Sequence, residues 1–71
     1  MKYRFNSNIQ CTNCKSKVAP LLDASDEIQA WEVDLEDPNR SLVVESESLR
    51  PEDIAALVRK SGFRTEYVEE A

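Results

Sequence analysis

The stretch Ile9-Gln10-Cys11-Thr12-Asn13-Cys14 marks the point where one periodicity stops and another starts. Before it, residues 2–9 alternate: Tyr3, Phe5, Ser7 and Ile9 fall on one side, and Lys2, Arg4, Asn6 and Asn8 on the other. A period of two with one polar face is the pattern of a half-buried strand. After it, Cys14, Val18, Leu21 and Leu22 recur at i, i+4, i+7 and i+8, the stripe of a helix with one buried face. Thr12 or Asn13 supplies a capping side chain. The stretch is therefore a strand-to-helix junction, and it holds both cysteines of the chain. The 71 residues contain no histidine, so no imidazole acts as a base or completes a metal site. Chemistry here rests on two sulfurs, which either converge on one soft metal ion or bond each other.

Reading outward, the helix pattern carries Pro20 in its interior. A proline there removes one backbone hydrogen bond and costs about 3 kcal/mol. The apolar stripe resumes at Leu21 and Leu22, so the expectation is a kinked helix rather than a stop. Asp23-Ala24-Ser25-Asp26 reads as a turn. Residues 27–35 return to period two, with Trp31, Val33 and Leu35 inward and Glu32 and Asp34 outward. Glu36-Asp37-Pro38-Asn39-Arg40 is a polar turn between two strand patterns and predicts a hairpin, with 41–45 as the partner strand and Leu42 and Val44 inward.

Pro51 suits the first position of a second helix, and Glu52 and Asp53 complement the dipole of its first turn. Arg50 is a poor cap, and Ser48 is the alternative. Ile54, Leu57 and Val58 form the buried stripe, Arg59 and Lys60 favour the C-terminal end, and Gly62 supplies a left-handed cap. A last strand is expected over 63–68. The order strand, helix, strand, strand, helix, strand predicts an α+β, ferredoxin-like βαββαβ fold. Its four-stranded antiparallel sheet carries both helices on one face. Residues 1–71 read as one domain.

Composition narrows the partners. Nine Lys and Arg against 14 Asp and Glu give a net charge of -5, which argues against nucleic acid or an anionic membrane as the main ligand. No apolar run approaches a membrane span, and the N-terminus shows no secretory signal. Two cysteines without such a signal read as reduced thiols in the cytoplasm. With no base and no nucleophile–base pair, the expectation is a protein that is not an enzyme.

At this point the chain resembles the heavy-metal-associated domains of copper chaperones and of metal-transporting P-type ATPases. The resemblance rests on the CxxC after the first strand, the helix-one stripe, Val33-Asp34-Leu35, Pro51-Glu52-Asp53-Ile54 and Lys60-Ser61-Gly62-Phe63. It implies one soft ion, Cu(I) foremost, held by Cys11 and Cys14, with Zn(II) or another soft divalent metal as the alternative. It also implies delivery to a P-type ATPase or another metal-accepting protein, by a monomer that a shared metal could bridge into a dimer. Where the family usually has Gly-Met-Thr, this chain has Asn8, Ile9 and Gln10, and it has Phe63 where bacterial members tend to have Tyr and eukaryotic ones Lys. Ile9, Thr12, Asn13, Lys60 and Phe63 are the expected neighbours of the site.

The residues suit that chemistry. Soft sulfur selects Cu(I) and similar ions over Mg or Ca, and two ligands cannot close a four-ligand structural zinc site. A helix N-terminus and the nearby Lys15 and Lys17 favour negative charge at the sulfur. Lys15, Lys17, Arg59, Lys60 and Arg64 together would steer the site toward an acidic partner. Two other readings use the same motif: a module of this fold that only contacts proteins, and a dithiol/disulfide redox protein. The element order is wrong for a thioredoxin-like fold, and no Trp or Pro flanks Cys11.

Overall fold

The computed structural model describes residues 1–9 and 12–71; Gln10 and Cys11 lie outside the described residues. The elements are β1 (Lys2–Ser7), α1 (Thr12–Asp23), β2 (Ile28–Val33), β3 (Leu42–Ser46), α2 (Pro51–Arg59) and β4 (Thr65–Glu70). The strands form one sheet in the order β2-β3-β1-β4, and every neighbouring pair is antiparallel. Each β-α-β crossover skips one strand, and a strand of the other crossover fills the gap. This is the ferredoxin-like arrangement expected from the element order.

The two periodicities meet in one core. Tyr3 and Phe5 of β1, Val33 of β2, and Leu42 and Val44 of β3 supply the sheet side; Val18 and Leu22 of α1 and Ile54 and Val58 of α2 supply the helical side. Burying each larger aliphatic or aromatic chain is worth about 1.5–3 kcal/mol. Ile9, just beyond β1, is fully buried in the same cluster. Helix α1 runs through Pro20 to Asp23 without a break. Val18 and Leu22 on either side of the proline are both buried, so stopping the helix would expose Leu22. Pro20 and Ser16 are exposed, which leaves the Ser16 carbonyl, deprived of its partner, open to water.

Three expectations are corrected. In β2 the register slips by one residue between Ile28, paired with Ser46, and Ala30, paired with Glu45. That bulge turns Ile28 toward the core together with Trp31, against strict alternation. The last strand is Thr65–Glu70, not 63–68. Phe63 and Arg64 are spent crossing from α2 to the sheet, and a second register slip between Arg4 and Phe5 of β1 leaves Val68 unpaired opposite it. Third, the serine that organises the start of α2 is Ser46, not Ser48. Its buried hydroxyl donates to the Glu27 carbonyl at 2.7 Å and accepts from the Leu49 N–H at 3.0 Å. Arg50 does occupy the cap position. Its side chain has no acceptor, and the Asp53 carboxylate closes the turn by accepting from the Arg50 N–H at 3.0 Å.

At the other end of α2, the N–H of Gly62 bonds the Arg59 carbonyl at 2.9 Å. Gly62 has φ of 92°, a left-handed conformation that most side chains resist. This turn sends the chain back toward the end of the sheet where β1 meets α1.

Candidate metal centre

The end of β1 is held on two sides. Ser7 accepts no choice of partner loop: its N–H bonds the Asn39 carbonyl at 3.0 Å, and its hydroxyl donates to the Arg40 carbonyl at 2.6 Å. Asn8 is tied to the opposite loop. Its N–H bonds the Arg64 carbonyl at 3.3 Å, and its side-chain oxygen accepts from the Arg64 N–H at 2.8 Å. The hairpin turn and the α2–β4 turn therefore both converge on the strand-to-helix junction. Ile9 then drops its side chain into the core, which fixes where the chain leaves the sheet.

Cys14 is the third residue of α1, half-buried and packed against the core cluster. It lies in the first helical turn, where backbone N–H groups lack intrahelical partners and the dipole favours negative charge. Thr12 and Asn13 are exposed on the same turn. The Cys11 position falls outside the described residues. Among the described residues no group of three or more His, Cys, Asp or Glu side chains is arranged to hold a metal ion.

The expected neighbours separate. Phe63 is half-buried against the core on the turn that Asn8 holds. Lys60 is exposed and lines a groove along α2 with Glu27, Leu49, Asp53 and Leu57. The Lys15 ammonium stands 5.8 Å from the centre of the Trp31 ring. Trp31 in turn donates from its indole N–H to the Asp23 carboxylate at 2.8 Å, so this side chain fastens both halves of α1 to β2. Sequence reasoning passed over Ser7 and Asn8 as pins. Their signal was the presence of two short polar side chains, able to bond nearby backbone, just where the alternation ends.

No protein-family model matches the chain, and no curated protein matches its sequence. Solved structures do. The Cu(I)-loaded first domain of the human copper chaperone for SOD1 superposes with a TM-score of 0.84 at 20% identity, over 99% of this chain and 94% of that one. A copper-binding domain of HMA7, a P-type ATPase, gives 0.83 at 21% identity, over 97% and 95%. The yeast copper transporter domain Ccc2a, solved in apo and Cu(I)-loaded states, gives 0.81 at 14% identity, over 99% and 97%. The chain shares its fold with copper-binding domains. At these identities the likeness establishes the architecture. Among the described residues no helix is long and apolar enough to cross a membrane.

Proposed function

We propose that the chain binds one soft metal ion, Cu(I) before Zn(II) or another soft divalent ion, through Cys11 and Cys14, and passes it to a metal-accepting protein. The observation that carries this reading is the placement of Cys14. It sits partly accessible in the first turn of α1, at an end of the sheet pinned by Ser7 and Asn8. A half-buried sulfur there stays within reach of a second protein's thiolates. An ion held by two sulfurs keeps open positions, so an acceptor can bond it before the first sulfurs let go. That favours transfer over storage.

The copper-binding domain of a P-type ATPase among the fold's neighbours makes such a transporter the first acceptor to test. The reading covers residues 1–71 as one module working in a reducing compartment such as the cytoplasm, where thiols persist. The metal is cargo, and no catalytic turnover is assigned.

The test is a titration of reduced protein with Cu(I) against a competing chelator, repeated with Cys11→Ser and Cys14→Ser. One ion per chain, lost in both variants, is the expected result. No uptake by the intact reduced protein would overturn the carrier reading and leave an interaction module of the same fold. Reductase turnover with a dithiol potential typical of redox enzymes would point instead to thiol–disulfide exchange.

A further inference from the structure

The large apolar side chains left exposed among the described residues are Met1, Tyr67 and Val68, and they gather at one margin of the sheet. Tyr67 and Val68 belong to β4, the outer strand beside β1. Met1 precedes β1, and its sulfur accepts from the Tyr3 hydroxyl at 3.8 Å. The Tyr3 ring in turn meets the Tyr67 ring edge to face, with centres 6.0 Å apart. Among the described residues β4 has a strand neighbour on one side only. Its outward backbone N–H and C=O groups are therefore open to an added strand. The register slip between Arg4 and Phe5 leaves Val68 without a counterpart on β1.

We infer that β4 takes up an extended, basic segment of a partner protein as a further strand of the sheet. Residues opposite each other in a ladder share a face. Tyr67, opposite Phe5, and Glu70, opposite Tyr3, thus lie on the helical side. Glu66, opposite Asn6, and Glu69, opposite Arg4, lie on the bare side. Glu69 is paired with Arg4 at 2.9 Å, whereas Glu66 and Glu70 form no ion pair among the described residues. Charge selects the occupant. A second copy adding antiparallel through its own β4 would set these glutamates against one another, and like charges opposite each other destabilise a ladder. The other edge strand, β2, reads Ile28-Gln29-Ala30-Trp31-Glu32-Val33 and offers no cation, so joining copies edge to edge gains no ion pair either. The same acids complement lysine and arginine. The segment that fits is alternating, with an apolar side chain beside Tyr67 and cations beside Glu66 and Glu70. The inference does not depend on metal binding.

The experiment is an amide NMR titration of the reduced, metal-free protein with a short alternating Lys/Val peptide. A Glu/Val peptide is one control. The Lys/Val peptide with N-methylated backbone amides is the other, since it keeps the charge and loses the donors of the ladder. The Lys/Val peptide should shift Tyr67, Val68 and Glu70 and slow hydrogen exchange along β4, more weakly as salt rises. Glu66→Gln should weaken binding about threefold, within the scale of an exposed charge pair, while Lys17→Gln on α1 does not weaken it. Absence of shifts on β4, or equal binding of either control peptide, would overturn the inference. Shifts on β4 that grow with protein concentration alone would also overturn it, making this edge a contact between copies. Because the protein is metal-free, failure of the carrier reading leaves this result unaffected.

Discussion

The Arg64 N–H donates to the side-chain oxygen of Asn8 at 2.8 Å across 56 residues of chain. With the return bond from the Asn8 N–H to the Arg64 carbonyl, this makes a two-point clasp between the α2–β4 turn and the junction that leads to the cysteines. Asn8→Ala removes the side-chain half and leaves the Arg64 N–H to water. A loss of about 1 kcal/mol in unfolding free energy is expected, the ordinary net worth of one such bond. Hydrogen exchange at Arg64 should accelerate more than at β1 or β3, and unchanged exchange there would contradict the clasp.

Ser46 makes a sharper case. Its hydroxyl is fully buried and serves two backbone groups, the Glu27 carbonyl and the Leu49 N–H. Ser46→Ala leaves both without that partner in a dry site, so the expected cost is about 1–3 kcal/mol. A urea titration should show a lower midpoint with an unchanged slope.

Gly62 separates conformation from packing. A Cβ built there meets nothing within 4 Å, so the cost of Gly62→Ala comes from φ of 92° alone. A loss of about 1 kcal/mol is expected, with Gly62→Asn falling between the two because Asn tolerates the left-handed region. Equal stability of all three forms in thermal unfolding would mean that the turn relaxes to another conformation.

Much of this fold was legible in the sequence because burial repeats with the period of each element. The alternation around Phe5, the stripe of Ile54 and Val58, and the Pro51 start of α2 each fix one element by one mechanism. What stayed hidden was what breaks a period. The β2 bulge brings Ile28 inward against its own alternation, and the Val68 slip is masked by the acids of β4, whose residues are mostly exposed along an edge. Ser46 sits at the end of a strand pattern, where nothing in local propensity reveals a buried hydroxyl that reaches back to Glu27 as well as forward to nearby Leu49. At the site, Cys14 could be placed from helix period alone. The separation of Lys15 and Lys60 from each other depends on tertiary neighbours, Trp31 for one and Glu27 and Asp53 for the other.

The β2–β3 turn carries a pH dependence whose sign follows from Asp37. The Ser41 hydroxyl first, and then the Asn39 N–H, hold its carboxyl below the ordinary value of 3.8. Its folded pKa is therefore lower than its unfolded one. The stability it contributes is fully present above the unfolded value and is lost as pH falls through the folded value. The Asp37 carboxyl should titrate below pH 3.8 by NMR, and Asp37→Asn should flatten the stability profile on the acid side. A folded value at or above that of an unfolded peptide would reverse the sign and refute the assignment.

Ile9 tests whether the residue preceding the cysteines serves packing or the ion. Its side chain is fully buried among Phe5, Val18 and the rest of the core, and it carries no donor atom for a metal. Ile9→Met keeps nearly the same volume and should cost less than about 1.5 kcal/mol. Ile9→Ala should cost about 2–5 kcal/mol, through lost burial and the cavity left behind. If packing is its only role, Cu(I) affinity should be the same in the wild-type and Met forms at a temperature where both are folded. A clear gain in affinity with Met at equal stability would mean that the side chain at position 9 reaches the ion, and that the buried position of Ile9 does not describe the loaded protein.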